Sequence, residues 1–410
     1  MAKPGFHKRR PHIEWVMRSG LAILAAALGY LGTSHSLAEL TRRDHPERAY
    51  ALSPNDGRIT ATLAARRFID TPTAAENGEL ARRALRQDPT AVEAVVTLGL
   101  QALANGNADQ APRLFSYAQK LSRRNLQTQL WAIEDAVARD DVAAALRHYD
   151  IALRTSKSAP DILFPVLSSA IDDPMIRTQL IATLHQKPAW TATFIGYIAG
   201  NGVNAHSVAS LFQGLHHTGF SVSPDAISVV INRLMSANAT NEAWQYYASV
   251  HKGVDRRRSR DPNFTLNLST PSTFDWRSNN SQGIITSIQA DQHEGLFDFA
   301  LPPSVGGVLL QQTQLLPSGP YKLEGVSSGI EQPASARPYW ILTCLDEREL
   351  GRVVLPNSSG GNGAFDGHFS VPADCPVQTL SLVARASNEI TGVSGQIKRV
   401  QLSPDQPVKR

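Results

Sequence analysis

The sequence predicts a multidomain protein in which α-helices come first and β-strands follow, behind an N-terminal apolar segment. Small and aromatic residues recur every 34 residues in the first half, as in stacked helical hairpins. Beyond residue 263, short alternating segments rich in β-formers are separated by Gly, Pro, Ser and Asn. With 410 residues the chain is too long for one core. We therefore expect a membrane anchor or signal segment, an α-solenoid and a C-terminal antiparallel β-sandwich.

The amino-acid composition and net charge argue against several classes of function. Hydrophobic residues make up 42% of the chain and charged residues 19%, which is typical of a globular protein. The formal charge of +4 is small and its basic residues are dispersed, so we expect no nucleic-acid partner. The chain has two cysteines, too few for a zinc framework, and we expect neither a metal nor a cofactor.

The first 38 residues carry the targeting signal. A basic run, HKRR at 7–10, and Arg18 precede an apolar stretch at 19–33. This arrangement predicts a membrane anchor with residues 1–18 in the cytoplasm. Ser36 and Ala38 also match the small-residue signature of signal-peptidase cleavage, so a cleaved signal peptide remains the alternative.

The 34-residue period lies within a series of predicted helices. Ala84, Ala118 and Ala152 share one register position, and Phe115 and Tyr149 share another. Small residues at such positions allow helices to approach closely, and aromatic side chains fill the space between neighbouring helices. The predicted helices cover 57–70, 73–87, 91–104, 110–122 and 126–138, and a last one ends at Leu153. The repeat-packing positions are Ala84, Gly99, Ala111, Phe115, Ala118, Ala145, Tyr149 and Ala152.

This small–aromatic–small spacing resembles that of tetratricopeptide repeats over about 55–157. The sequence departs from the family at the start of the first helix of each unit, where Val95 and Gln129 replace the usual Trp. The resemblance implies a solenoid over 39–157 with a groove for a protein partner.

Six further helix-length segments follow over 158–254, with expected N-caps at Asp173, Ser223 and Asn241. Their period fades, so we expect degenerate helix pairs that continue the solenoid. The polar segment DRRRSRDPN at 255–263 is expected to be a solvated linker; contact of its arginines with anionic glycan or lipid headgroups is the alternative.

The predicted sandwich covers 264–403 and is followed by a short tail at 404–410. Its last segment, SGQIKRVQL, resembles the final strand of jelly-roll domains in the galactose-binding-like and carbohydrate-binding-module group. Ile397, Val400 and Leu402 are its expected inward positions, with a shift of face between Ile397 and Val400. Cys344 and Cys375 would form a disulfide in an exported protein; two unpaired buried thiols are the alternative.

The nominated binding residues are few. Trp276 lies between Asp275 and Arg277, which suggests a partly accessible ring beside hydrogen-bonding groups, suited to a sugar. GVSSG at 325–329 matches a nucleophile-elbow motif formally, but a loop and a strand follow it instead of a helix. His216 and His217 are adjacent on a helix and diverge by about 100°. We therefore assign no catalytic residue and no metal ligand.

By resemblance to envelope proteins of proteobacterial type, the leading hypothesis is a non-enzymatic adaptor in assembly or export of a surface polysaccharide. The solenoid would bind a protein and the sandwich glycan, with an inner-membrane anchor and the bulk of the chain in the periplasm. A soluble periplasmic or secreted form is the alternative location. A general protein-interaction scaffold with a purely structural sandwich is the alternative function, and a glycan hydrolase is the least favoured.

Overall fold

The computed structural model describes residues 11–107, 109–291 and 294–405. The described chain forms fourteen helices followed by ten strands, as the sequence predicts. It divides into two compact units, residues 1–163 and 164–410, and the division falls inside the ninth helix. The predicted basic run at 7–10 and most of the tail lie outside the described residues. The helices are α1 (Pro11–Thr41), α2 (Pro46–Leu52), α3 (Gly57–Asp70), α4 (Ala75–Gln87), α5 (Val92–Ala104), α6 (Ala111–Leu121), α7 (Leu126–Ala138), α8 (Val142–Thr155), α9 (Ala159–Ala170), α10 (Pro174–His185), α11 (Thr191–Asn201), α12 (Ala205–His217), α13 (Pro224–Ser236) and α14 (Thr240–Val250).

Helix α1 extends beyond the apolar stretch into the first unit. Its stretch Glu14–Thr41 is long and apolar enough to cross a membrane or to serve as a signal sequence. The 31 residues of α1 span about 46 Å, against about 30 Å for a bilayer core. Near its end, Ala38 is fully buried in a cluster with Ala49 of α2 and Ile59 of α3. The helix therefore enters the protein core without a break at residue 38.

Helices α3 to α8 pack as three consecutive hairpins, α3 with α4, α5 with α6 and α7 with α8. The predicted repeat-packing positions are all buried, and the three alanines at the 34-residue register, Ala84, Ala118 and Ala152, are fully so. A Cβ built at Gly99 would lie 3.0 Å from the Phe115 ring, so the glycine allows the ring to lie against α5. The packing agrees with the register, while membership of the tetratricopeptide family stays a prediction.

Helices of the second unit follow the hairpin pattern only in part, with α13 packed against α14. Helix α12 lies against both α10 and α13, and α11 lies against α13. Asp173 and Ser223 cap α10 and α13 as predicted. The N-cap expected at Asn241 is wrong: α14 begins at Thr240, and the Asn241 side chain instead accepts a hydrogen bond from Arg256.

The strands form two five-stranded antiparallel sheets that enclose one apolar core. The first sheet has the order β1-β4-β9-β6-β7 and the second β2-β3-β10-β5-β8. Trp340 and Leu342 of the first sheet and Phe297 and Phe299 of the second contribute to this core. The strands are β1 (Arg277–Ser278), β2 (Ile285–Gln289), β3 (Leu296–Leu301), β4 (Gly307–Gln314), β5 (Gly319–Ser328), β6 (Tyr339–Cys344), β7 (Glu349–Val354), β8 (Asn362–Val371), β9 (Gln378–Ala384) and β10 (Val393–Pro404).

Two details of the sandwich were predictable from the sequence. The pairing of β10 with β5 shifts between Ile397 and Arg399, which is the expected change of face, and Ile397, Val400 and Leu402 are all fully buried. Cys344 and Cys375 form a disulfide with a Cα–Cα distance of 5.7 Å. The disulfide joins the end of β6 to the loop before β9.

Candidate functional site

The segment 255–263 is a solvated linker only in part: Arg257 and Arg258 are exposed as expected, but Ser259 and Arg260 are built into the fold. The Ser259 N–H donates to the Leu402 carbonyl of β10, and Arg260 is only 5% exposed. The Arg260 guanidinium donates to the Phe274 carbonyl at 2.9 Å, to Gln314 Oε1 at 2.8 Å and to the Thr313 carbonyl. This arginine therefore ties the segment to β4 and to the approach to β1.

Helix α14 closes around the same buried arginine. The Arg260 guanidinium carbon lies 5.5 Å from the Trp244 ring centroid and 5.6 Å from that of Phe274. Burial lowers the pKa of Arg260 to about 10, and the charges of Tyr247 and Asp275 partly oppose this shift. The cation stays protonated at neutral pH because this pKa still lies well above 7.

Asp275, nominated as a sugar-binding residue, has internal partners. Its carboxylate accepts hydrogen bonds from the Tyr247 hydroxyl at 2.8 Å, the Ser272 N–H at 3.0 Å and the Ser272 hydroxyl at 2.6 Å. Burial raises the pKa of Tyr247, and the neighbouring Asp275 carboxylate adds to the shift. Asp275 therefore holds the segment before β1 against α14.

The expectation that the Trp276 ring is partly accessible is wrong. Trp276 is 5% exposed and belongs to the sandwich core, with its ring centroid 5.7 Å from that of Trp340. Its Nε1–H donates to the Asp261 carbonyl at 2.9 Å. Polar neighbours in the sequence suggested exposure, but Trp276 directly precedes β1 and its ring packs in the sandwich core.

A polar cleft of about 400 Å³ nevertheless lies beside Trp276. It is bounded by the segment 261–271, by β1 and by the edge strand β2. Asp275 and Trp276 contribute to its lining, so the nominated pair lies at this cleft even though both side chains are mostly buried. The full lining is Asp261, Leu266, Asn267, Leu268, Ser269, Pro271, Asp275, Trp276, Ser278, Thr286, Ser287 and Ile288.

The shape of the cleft depends on Asp261. Its carboxylate accepts from the Thr265 N–H at 2.7 Å, the Thr265 hydroxyl at 2.8 Å and the Leu266 N–H at 3.0 Å. These bonds hold the 261–266 turn that places Asn267 at the cleft. Asp261 itself adopts a φ of 47°, in the left-handed region that Asp tolerates better than most residues.

Three exposed side chains give the cleft its free hydrogen-bonding capacity. Asn267, Ser278 and Ser287 line it, and none of their side-chain polar groups has a hydrogen-bond partner within the described chain. Sequence reasoning missed Asn267 and Ser287 because they lie nine and eleven positions from Trp276, on elements that only the fold brings together. The polar run after Trp276 was the one available signal.

Arg277 lies on the other side of β1, away from the cleft lining. It pairs in register with Gln311 of β4, and its Nε atom is buried with no hydrogen-bond partner in the described part of the chain. Burial lowers the pKa of Arg277. The structure therefore separates Arg277 from Asp275 and Trp276, although the three are consecutive.

The two discounted motifs lie in ordinary secondary structure. Within GVSSG, Gly325 to Ser328 form the end of β5, and the Ser327 hydroxyl is fully buried and donates to the Gly363 carbonyl at 3.2 Å. His216 and His217 end α12 and are exposed to solvent. Their positions agree with the structural roles assumed from the sequence.

Comparison with known proteins gives similarities to carbohydrate-binding modules. No family model matches the chain, and no curated protein matches it. A family 61 carbohydrate-binding module solved with β-1,4-galactotriose is 16% identical, with a TM-score of 0.27, over 36% of this chain and 97% of that one. The CBM22-1 xylan-binding domain from Paenibacillus barcinonensis is 9% identical, with a TM-score of 0.25, over 36% and 94%. The family 11 module of a Clostridium thermocellum cellulase is 10% identical, with a TM-score of 0.23, over 39% and 100%. At these values no ligand is transferred from those proteins to this chain.

Proposed function

We propose that the protein is a non-enzymatic, membrane-anchored scaffold that binds glycan through the cleft beside Trp276. The observation that carries the proposal is the set of exposed, unpartnered polar side chains in that cleft, Asn267, Ser278 and Ser287. Sugar hydroxyls both donate and accept hydrogen bonds, so amide and hydroxyl side chains are suitable partners. Leu266, Pro271 and Ile288 add apolar surface for the C–H faces of a sugar ring.

The cleft is also preorganised, which favours binding. Asp261 fixes the turn on one side, and Asn280 accepts from the Thr286 N–H at 2.6 Å on the other. The Ser269 hydroxyl donates to Asp225 of α13 at 2.8 Å, so the segment that forms one wall is tied to the helices. Walls held in this way lose little conformational entropy when a ligand binds.

The packing of α1 supports an uncleaved anchor over a signal peptide. Cleavage after Ala38 would cut a continuous helix at a residue that is fully buried against Ala49 and Ile59. The cut would also remove that residue from the core of the first unit. We therefore propose a single-pass topology with residues 1–18 in the cytoplasm and the two units in the periplasm.

The first unit supplies a surface for a protein partner in this scheme. An open groove of about 340 Å³ lies where the N-termini of α5 and α7 approach each other, and Arg42, Arg58 and Arg124 contribute to its lining. Arg42 is paired with Glu39 and Arg58 with Asp88, and Glu93 also lines the groove, so Arg124 and the helix N-termini carry the preference for an acidic peptide segment. We propose that such a scaffold serves in the assembly or export of a surface polysaccharide.

Glycan binding is tested with the full chain in detergent micelles. An oligosaccharide array identifies the ligand, and calorimetry compares the parent with Ser287→Trp, which fills the cleft from its exposed side. We expect Ser287→Trp to weaken binding by roughly tenfold or more, because it blocks the polar groups that the sugar needs. The matched control is Gln289→Trp, two residues along the same edge strand and outside the cleft.

If the two tryptophan variants bind the oligosaccharide with equal affinity, the cleft is not the binding site. Absence of binding to every glycan on the array would favour the alternative, a protein scaffold whose sandwich is purely structural. Turnover of a bound oligosaccharide would contradict the non-enzymatic assignment.

A further inference from the structure

The outward face of the first sheet carries a second cluster of candidate ligand-binding residues. Trp340, Leu342 and Leu382 of β6 and β9 point into the sandwich core. Because side chains alternate along a strand, Tyr339 and Ile341 point to the opposite face. Tyr339 and Ile341 are only partly buried, whereas Ser381 of β9 on the same face is buried.

One row of this face crosses all five strands in register and ends in an arginine on each side. Strands are about 4.8 Å apart, so the row is about 19 Å wide. It comprises Arg277 in β1, Gln311 in β4, Ser381 in β9, Ile341 in β6 and Arg352 in β7. The small Ser381 lies at its centre.

The next row places an aromatic ring among guanidinium groups. Tyr339 pairs with Val383 on one side and with Val354 on the other. The Arg352 guanidinium carbon lies 4.2 Å from the Tyr339 ring centroid, and that of Arg385 lies 4.9 Å from it. Arg352 and Arg385 thus lie against the Tyr339 ring, and Val354 and Val383 lie beside it.

The charges on this face are only partly neutralised. Arg352 forms a bidentate pair with Glu349, at 2.8 and 3.1 Å. Arg385 donates only to the Ser335 carbonyl, and Arg277 has a buried Nε with no partner among the residues described. Neither Arg277 nor Arg385 forms an ion pair within the described residues, so both guanidinium groups keep a positive charge that an anion can pair with.

We infer that this face binds a chain of acidic sugars, with carboxylates at Arg277 and Arg385. A flat row of side chains suits a saccharide chain lying across the strands. An acidic peptide is less favoured because peptides bind sheets by pairing with an edge strand, and the two edge strands of this sheet, β1 and β7, lie at the sides of the face and not across it. The site is independent of the cleft, because Trp276 and Ser278 line the cleft while Arg277 between them faces the other way.

The test measures binding of fluorescein-labelled polygalacturonate oligomers to the full chain in detergent micelles. Methyl-esterified oligomers of the same length are the neutral counterpart, and poly-glutamate is the acidic peptide. We expect the carboxylate form to bind, the ester to bind at least roughly tenfold more weakly, and added salt to weaken binding. Arg277→Gln and Arg385→Gln should each lower the affinity several-fold, and Arg277→Lys should retain part of it.

The matched control is Arg399→Gln, which removes the same charge from β10 of the second sheet. It should bind like the parent, and so should Ser287→Trp, which tests the cleft separately. The inference is overturned if the ester binds as well as the acid, if Arg277→Gln and Arg399→Gln behave alike, or if polygalacturonate does not bind. Tighter binding of poly-glutamate than of polygalacturonate would assign the face to an acidic protein instead.

Discussion

The helical hairpins of the first unit and the segment 255–278 hold their buried residues in opposite ways. In the hairpins, Ala84, Ala118 and Ala152 meet helices that are close in sequence, and their burial repeats with the period of the chain. In the segment, Arg260 is buried through partners 14 to 54 residues away, and Asp275 is held both by the nearby Ser272 and by Tyr247, 28 residues away. Packing between neighbouring helices leaves a periodic pattern in the sequence. A buried polar side chain with distant partners cannot be told from a solvated one by its sequence context.

The largest expected effect is that of Arg260→Ala. The change leaves the Thr313 and Phe274 carbonyls without a donor and the Asp275 carboxylate without a nearby cation. We expect the free energy of unfolding to fall by about 3–5 kcal/mol. Urea titration followed by tryptophan fluorescence measures it. Arg257→Ala, in the same basic run but exposed, should leave the transition midpoint unchanged; equal midpoints for both variants would show that Arg260 is not a structural cation.

Truncation of Trp276 should be nearly as severe. Trp276→Ala removes a core ring and the hydrogen bond to Asp261, so we expect a loss of about 3–5 kcal/mol. Thermal melting followed by circular dichroism provides the measurement. If the variant has the same melting temperature as the parent, Trp276 is not a core residue, and the accessible, sugar-stacking ring suggested by the sequence is the better interpretation.

The disulfide between Cys344 and Cys375 was expected from the sequence, and its contribution to stability can be measured by removing it. Replacing Cys344 and Cys375 together by Ser opens a link across 31 residues and should cost about 3–4 kcal/mol. Chemical unfolding of the sandwich with and without a reductant gives the value. A parent protein whose stability does not respond to reduction would contradict this expectation.

The smallest effect concerns the hairpins. Ala118→Leu forces extra volume into a fully buried contact and should destabilise the first unit by about 1–3 kcal/mol. Ser116→Leu, exposed on the same helix, is the control. Hydrogen exchange of α6 amides resolves the change; if the two leucine variants exchange alike, the register assigned to the repeats is wrong.

The class of fold, the helix positions, the inward residues of β10 and the disulfide pair follow from periodicity, caps and cysteine count. The candidate site does not. The polar neighbours of Trp276 in the sequence suggested a binding residue. The Trp276 ring instead packs on Trp340, which is 64 positions away, so nothing in the sequence indicated this contact. Asn267 and Ser287 become cleft residues only when β2 is placed at the sheet edge. The sequence predicts a solvated Arg260 because its hydrogen-bond acceptors, Gln314 and the Thr313 carbonyl, belong to a strand more than 50 residues further along the chain.

Retention of α1 is the most direct test of a membrane-anchored scaffold, because anchoring and packing of the first unit both depend on this helix. The measurement is the intact mass and N-terminal sequence of the protein recovered from cells that export it. Our proposal predicts a membrane-bound chain of about 44.5 kDa that still contains residues 11–38. A soluble chain that begins at Glu39 would contradict it, since Ala38 would then be absent from the core formed with Ala49 and Ile59.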